Sequence, residues 1–133
     1  MNLERARLEA DRFRDLLKRR PFDRVAWESA CAPTLHLRLG NAPPATRRDL
    51  ALDQLSAFMA CTMGFGSGFC EVWRRREVMF AETDVTYLDL GGRPCALPCT
   101  IVARSMRGLL QDMRIHLDPS PIPGFVMPGL PTH

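Results

Sequence analysis

The stretch that indicates most about this chain is Arg114-Ile115-His116-Leu117-Asp118-Pro119. Successive side chains of a β-strand point to opposite faces of its sheet. Polar residues of this predicted strand therefore share one face, and apolar residues share the other. The polar face carries Arg114, His116 and Asp118.

An earlier stretch, Val78 to Val85, repeats this alternation and places Glu82 and Asp84 on one face. Carboxylates from two strands that face the same way could act as acid and base without a cofactor. The simpler alternative is a sheet with one face in water. The strands alone leave both interpretations open.

Length and composition predict a single globular domain without a nucleic-acid partner. The chain has 133 residues, of which 46% are hydrophobic and 25% charged. These fractions are ordinary for a globular protein, and the length suffices for a core without disulfides or metals. The formal net charge of +3 is too small to indicate nucleic-acid binding.

The sequence also predicts a cytoplasmic protein with no membrane partner. No apolar run reaches the ~18 residues that a membrane helix needs. The first fifteen residues, MNLERARLEADRFRD, lack the apolar core of a signal peptide. The five cysteines form no Cys-x-x-Cys pair, so reduced thiols are the simplest interpretation.

Helices are predicted for the N-terminal half of the chain. Apolar residues at helical spacing predict an amphipathic helix before Pro21 and a short second helix from Asp23 to Ala30. Alternation predicts a strand over Thr34 to Leu39. A capping box from Thr46 to Asp49 predicts the start of a third helix, which a loop from Gly64 to Gly68 follows.

Strands are predicted for the rest of the domain. Together with the preceding helices they indicate an α+β fold with segregated helices. Residues 1–118 form the predicted domain, and residues 119–133, with five prolines, form a C-terminal arm that is either docked or disordered. The predicted antiparallel strands are Phe69–Trp73, Glu77–Leu88, Cys95–Arg104 and Leu109–Asp118.

This order of elements and five short stretches resemble a known superfamily. The stretches are Arg38-Leu39-Gly40-Asn41-Ala42-Pro43-Pro44, Glu71-Val72-Trp73, Glu82-Thr83-Asp84-Val85-Thr86-Tyr87, Gly92-Arg93 and Arg114-Ile115-His116-Leu117-Asp118-Pro119-Ser120-Pro121. Over nearly everything before the arm, the chain resembles the SnoaL-like branch of the nuclear transport factor 2-like superfamily. The resemblance implies a curved antiparallel sheet wrapped around three N-terminal helices, forming a cone-shaped pocket.

The superfamily includes polyketide cyclases, ketosteroid isomerases, limonene-type epoxide hydrolases, dehydratases and proteins that only bind, so the fold does not fix the function. The limonene-type epoxide hydrolases are the nearest comparison by residue. Their two catalytic aspartates match Asp84 and Asp118. Their bridging Arg falls on Glu82, and their Tyr and Asn fall on His36 and Arg38, which weighs against epoxide hydrolysis.

The resemblance implies that the pocket lies on the polar face of the sheet. The opposite, apolar face would then lie outside and form a homodimer interface. If instead the leucines are core, the charged face is in solvent. The implied pocket face presents His36, Arg38, Glu82, Asp84, Arg114, His116 and Asp118.

Roles follow for the carboxylates if they share an enclosed pocket. Like charges close together raise one pKa, which separates an acid from a base. Asp84 is the predicted general base, and Asp118 is its partner or the acid that returns the proton. Glu82 is either the protonated member or an ion-pair partner of an arginine.

The other candidate residues are predicted to bind the substrate. His36 and His116 could shuttle protons or form pocket walls. Arg38 and Arg114 could hold an enolate or a carboxylate. Trp73 and Phe80 could line an apolar cavity, as could Phe58, Met59, Phe65 and Phe69. No ligand spacing indicates a metal, so neither metal nor cofactor is predicted.

Three functions remain open from sequence. The first is a cofactor-independent cyclase or isomerase acting on a hydrophobic polyketide- or terpenoid-like substrate. The second is an epoxide hydrolase or epoxide-opening cyclase. The third is a non-catalytic small-molecule-binding or dimerisation module.

Overall fold

The computed structural model describes the backbone of residues 3–125 and the side chains of residues 9–66 and 69–125. Helices precede most of the strands, as the sequence predicts. The elements are α1 (Leu3–Lys18), α2 (Arg24–Ala30), β1 (Cys31–Leu39), α3 (Arg48–Ala60), β2 (Phe65–Arg75), β3 (Val78–Leu88), β4 (Pro94–Met106) and β5 (Leu109–His116).

The strands form one curved sheet in the order β1-β5-β4-β3-β2, so the predicted α+β class is confirmed. Strands β2 to β5 form the predicted antiparallel meander. The first strand differs, because β1 pairs in parallel with β5. The earliest strand in the chain therefore depends on the last one for its place in the sheet.

Two local predictions around α3 and β2 are wrong. The N-cap of α3 is Arg47, and no side chain caps the helix, so Thr46 does not form a capping box. The predicted loop from Gly64 to Gly68 belongs mostly to β2, whose pairing with β3 shifts between Phe65 and Cys70. Gly66 has a φ of +72°, and an added Cβ would lie 2.9 Å from the Cβ of Cys70. This irregularity therefore requires glycine.

The helices cover the apolar face of the sheet, which we call the inner face. Helix α1 packs on β2, and α3 packs on β1. Burial of this face against the helices forms the core, in which apolar contact is the main stabilising force. Its buried sheet residues include Leu35, Leu37, Leu39, Met79, Ala81, Thr83, Val85, Cys99, Ile101, Ala103, Met113 and Ile115.

The prediction that the leucines lie on the outside of the sheet is therefore wrong, while the predicted homodimer stays a prediction. Leu35, Leu37 and Leu39 are fully buried within the chain's own core, together with Val85 and Ile115. The opposite face, which we call the outer face, is the polar one.

The C-terminal arm returns to the core after β5. Ile122 is buried, and its backbone N–H donates to the carbonyl of Pro119. Phe125 packs its ring edge-on against Phe58, with 5.4 Å between the ring centroids. Residues 119–125 of the predicted arm thus dock on the domain, and residues 126–133 lie outside the described residues.

Within the described residues, no helix combines the length and apolar character that crossing a membrane requires.

Candidate functional site

The polar residues predicted to line an enclosed pocket lie on the outer face instead. His36, Arg38, Glu82, Arg114 and His116 are exposed, and so is Asp118 beyond β5, while Asp84 is half-buried. The pocket assignment is wrong because α1 and α3 cover the alternate residues of the same strands. The side chains share a face, as predicted, but that face is open.

Strand register separates the predicted catalytic carboxylates. Glu82 pairs with Thr100, which pairs with His116 on its other side. Neighbouring strands lie about 4.8 Å apart, so Glu82 and His116 are roughly 10 Å apart at Cα. Asp84 pairs with Pro98, whereas Asp118 follows β5 on the far side of β4. The strands therefore do not bring the two aspartates together as neighbours.

Asp118 has a local role in the chain turn that starts the arm. Its Oδ1 accepts a hydrogen bond of 3.0 Å from the backbone N–H of Ser120. Hydrogen bonds from Ser120 hold the pKa of the Asp118 carboxyl below its ordinary value. A proton-returning acid needs a raised pKa, so this geometry favours a turn-forming carboxylate.

Two aromatic residues predicted to line an interior cavity also lie outside. Trp73 is 46% exposed and Phe80 38% exposed, and the two are directly paired on β2 and β3. Phe69 is exposed as well, whereas Phe58, Met59 and Phe65 are buried. The predicted aromatic set therefore divides between the outer face and the core.

A small cleft lies at the β1–β5 edge of the outer face. It has a volume of about 110 Å³ and is lined by His36, Arg38, Pro44, Asp112 and Arg114. Arg38 and Arg114 are register partners on parallel strands. The Arg114 Nε lies 3.4 Å from the Asp112 Oδ1. We call this site the basic cleft. Guanidinium groups bind carboxylates and phosphates, and here the Asp112 carboxylate already contacts Arg114.

The inner face carries thiols and hydroxyls among its apolar side chains. Thr83 lies between Cys70 and Cys99 in the strand register, and its hydroxyl donates to the carbonyl of Phe69 at 2.8 Å. Burial raises the pKa of Cys99 to about 12, and the charge of Asp84 adds to this effect. A thiol with so high a pKa stays protonated at neutral pH and is a poor nucleophile.

An aromatic cluster closes one end of the core. The rings of Phe58 and Phe65 lie 5.6 Å apart at their centroids, and Phe125 of the arm covers Phe58. Gln54 lies one helical turn before Phe58 on α3, so the two share a helix face. Its Nε2 is buried and has no hydrogen-bond partner among the described residues.

Sequence reasoning missed two groups that the fold buries. Arg74 contacts Glu9 in an ion pair that joins β2 to α1, and only 13% of the Arg74 side chain is exposed. Alternation from Trp73 could have placed Arg74 on the inner face. The sequence around Gln54 indicated its burial less clearly, since polar residues are common on the exposed side of a helix.

The part of the chain that the structure describes contains no group of three or more His, Cys, Asp or Glu side chains that could hold a metal ion. The carboxylates and imidazoles of the outer face are spread over several strands, with Glu82 and Asp84 on β3 and His116 on β5.

Comparison of the sequence with known proteins gives no match, either to a protein-family model or to a curated protein.

Solved structures, in contrast, match this one over most of their length. One is a provisionally named SnoaL-like polyketide cyclase from Jannaschia sp. CCS1, with a TM-score of 0.73 and 13% identity, covering 91% of this chain and 95% of that chain. Another, provisionally named a polyketide cyclase, comes from Xanthomonas campestris pv. campestris, with a TM-score of 0.68, 16% identity and coverage of 90% and 95%.

A third similar structure is a nuclear transport factor 2-like protein of unknown function from Cytophaga hutchinsonii. It has a TM-score of 0.65 and 10% identity, covering 88% of this chain and 100% of that chain. At these identities the likeness establishes the fold alone. The chain has the nuclear transport factor 2-like fold.

Proposed function

We propose that this chain is a non-catalytic binding module for an apolar, ring-containing small molecule that carries a hydrogen-bond acceptor. The observation that carries the proposal is the aromatic end of the core, where the Phe58 ring packs against Phe65 and against the arm residue Phe125. The unpaired amide of Gln54 lies one helical turn away. Apolar walls with one placed polar group are typical of small-molecule sites.

The arm is the part of this wall that can yield to a ligand. Residues 119–125 contain turns and bends but belong to none of the helices or strands. Segments held by few contacts open at a lower free-energy cost than paired strands. A ligand ring can then take the place of the Phe125 ring and make the same edge contact with Phe58.

Gln54 gives the site its polar preference. A buried amide N–H without a partner is uncommon in folded proteins, because its desolvation is not offset. A ligand carbonyl or ether oxygen would accept from Nε2 and remove that cost. The proposal therefore favours a ring ketone over a plain hydrocarbon of the same shape.

Binding is favoured over turnover by the side chains that the core contains. Among the described residues, the buried polar side chains are those of Gln54, Thr83 and Ser105. Neither an amide nor a hydroxyl ionises near neutral pH, so none of them matches a general base. The predicted acid–base residues lie outside this region.

The test is a titration with naphthalene and 2-acetylnaphthalene, followed by amide NMR shifts. We expect the ketone to bind about fivefold more tightly, corresponding to ~1 kcal/mol for one hydrogen bond. Gln54→Met keeps the shape and should abolish this preference. Phe125→Leu should strengthen binding of both ligands, and Asp84→Asn should change neither. If a folded Phe125→Leu protein binds neither ligand, the proposal is wrong.

A second candidate is the cofactor-independent cyclase or isomerase predicted from sequence. The observation that favours it is the likeness in fold to two structures provisionally named polyketide cyclases. Asp84, half-buried and close enough to influence the Cys99 thiol, would be the base. This second candidate requires that the protein turns over a polyketide- or terpenoid-like ketone. The turnover should be lost in the Asp84→Asn variant and retained in the Asp118→Asn variant.

Epoxide opening, the third prediction, uses the same base on a different bond. Incubation of a terpenoid epoxide in oxygen-18 water distinguishes the two possible reactions, hydrolysis and cyclisation. Label in a diol would indicate hydrolysis, and an unlabelled cyclic ether would indicate cyclisation. An unchanged epoxide would contradict both.

A further inference from the structure

Two hairpin tips of the sheet hold arginines in an unfavourable backbone conformation. Arg76 in the β2–β3 connection has a φ of +57°, and Arg107 in the β4–β5 connection has a φ of +55°. The residues on either side of each connection pair with one another, so each tip has two residues. Such tight turns require a positive φ, which glycine and asparagine adopt more readily than arginine. Among the described residues, these two arginines are the non-glycine positions with a positive φ.

The two tips lie side by side at one end of the sheet. Val78, which follows the first tip, pairs with Arg104, which precedes the second. The backbone N–H of Ser105 donates to the carbonyl of Glu77 at 2.8 Å, and this hydrogen bond joins the two tips. Because neighbouring strands lie about 4.8 Å apart, the centres of the tips are roughly 10 Å from each other.

Four exposed arginines gather around these tips, and we call this group the basic end. Its members are Arg12, Arg75, Arg76 and Arg107. Helix α1 contributes Arg12, which lines a small cavity together with Gly108 of the second tip. Arg104 is left out of the group because Asp112 is its register partner on β5.

The basic end keeps a net positive charge. Among the described residues, none of its four arginines takes part in an ion pair. Glu77 is the acidic residue of the two tips, so its single charge faces four of the opposite sign. The surplus charge leaves the basic end suited to a partner that carries several negative charges.

An apolar side chain is exposed among these charges. Met106 directly precedes Arg107, and 57% of it is exposed. Single exposed apolar residues are common on protein surfaces, but this one is flanked by basic groups at the tip of a hairpin. Basic groups around an apolar side chain are the combination that holds peripheral proteins at an anionic membrane interface.

We propose that the basic end is a peripheral contact for an anionic lipid surface. The four guanidinium groups bind lipid phosphates and carboxylates, and Met106 enters the boundary between headgroups and acyl chains. Each arginine near such a surface favours binding by about fivefold. A peripheral contact needs no membrane-spanning segment, whereas the prediction of no membrane partner was based on the lack of one.

A lipid surface fits the basic end better than a nucleic acid does. Proteins that bind single strands stack the bases on aromatic side chains, and the basic end includes none. The proposal also accounts for the strain at Arg76 and Arg107. Unfavourable backbone conformations persist where they serve a function, and here each one places a positive charge at the point where the sheet projects furthest.

The test is flotation of the whole chain with vesicles of phosphatidylcholine alone and of phosphatidylcholine and phosphatidylserine in equal parts. We expect binding to the mixed vesicles only, and this binding should weaken with added salt. Arg107→Asn should weaken it about fivefold, and Arg76→Asn with Arg107→Asn about 25-fold. Because asparagine adopts a positive φ readily, the Tm of both variants should be no lower than that of the wild type.

The matched control is Arg93→Asn, which removes an exposed arginine from the β3–β4 turn at the opposite end of the sheet. It should leave vesicle binding unchanged. Met106→Ser should weaken vesicle binding several-fold. Absence of binding to the mixed vesicles at low salt, or equal binding by the wild type and the double variant, would overturn the proposal. Tighter binding to a single-stranded RNA oligonucleotide that Met106→Ser leaves unchanged would also overturn it, because the basic end would then be a nucleic-acid site.

Discussion

The inner and outer faces of the sheet come from the same five strands but carry opposite chemistry. Adjacent residues on one strand differ in exposure, since Leu37 is fully buried and Arg38 is exposed. The inner face is determined by the helices that cover it, and the outer face is left to water or to a partner. Polar side chains that share one face of a strand therefore indicate a functional site only once it is known which face of the sheet the helices cover.

The largest expected difference between the faces is in stability. Ile115 is fully buried on the inner face, and its neighbour His116 is exposed on the outer face. Ile115→Ala should lower the free energy of unfolding by about 2–5 kcal/mol, since it removes buried apolar contacts and leaves a cavity. His116→Ala should change it by less than about 0.5 kcal/mol. Urea denaturation measures both, and equal losses would contradict the face assignment.

A second comparison uses two adjacent arginines. Arg74 points inward to its ion pair with Glu9, and Arg75 lies exposed on the outer face. Arg74→Met should lower the free energy of unfolding by about 1–3 kcal/mol, because it removes the ion pair with the half-buried Glu9 carboxylate. The matched Arg75→Met should have little effect.

The double variant with Glu9→Gln separates the ion pair from packing of the arginine stem. If the losses of Arg74→Met and Glu9→Gln simply add, the two side chains are not coupled. We expect the double variant to lose less than the sum of the two single variants.

The smallest expected effect concerns the start of the arm. Hydrogen bonds from Ser120 lower the folded-state pKa of Asp118 below its ordinary value of 3.8. The lowered value means that this carboxylate adds stability above pH 3.8, and that the contribution is lost as the pH falls towards the folded-state pKa. Asp118→Ala should therefore lower Tm at neutral pH, and its difference from wild type should shrink in acid. A difference that grows in acid would contradict the role of the turn.

Much of the fold could be predicted because its signals are local. The alternation of Thr34 to Leu39 and the helical spacing before Pro21 correspond to β1 and α1. Parallel pairing of β1 with β5 could not be inferred, because strand partners far apart in the chain leave no local pattern. The missing cap at Thr46 shows that a short motif can match without forming its hydrogen bonds.

The sequence contains a signal for which face of the sheet is buried. Both faces alternate equally well, but leucine is far more often buried than histidine or arginine. Leu35, Leu37 and Leu39 together therefore indicate that their face of the sheet is the buried one. The aromatic end of the core with Gln54 and Phe125 could not be predicted from the sequence, because it depends on how α3 and the arm pack together.

The parallel pairing of β1 with β5 also sets an order of events during synthesis. Residues 31–39 leave the ribosome about 75 residues before Leu109–His116, the strand with which they pair in the described part of the chain, at ~5–20 residues per second. Until then the three leucines of β1 have α3 beside them but no strand to pair with. For several seconds the nascent chain therefore exposes an apolar strand without its pairing partner, which is the kind of surface that favours aggregation during synthesis.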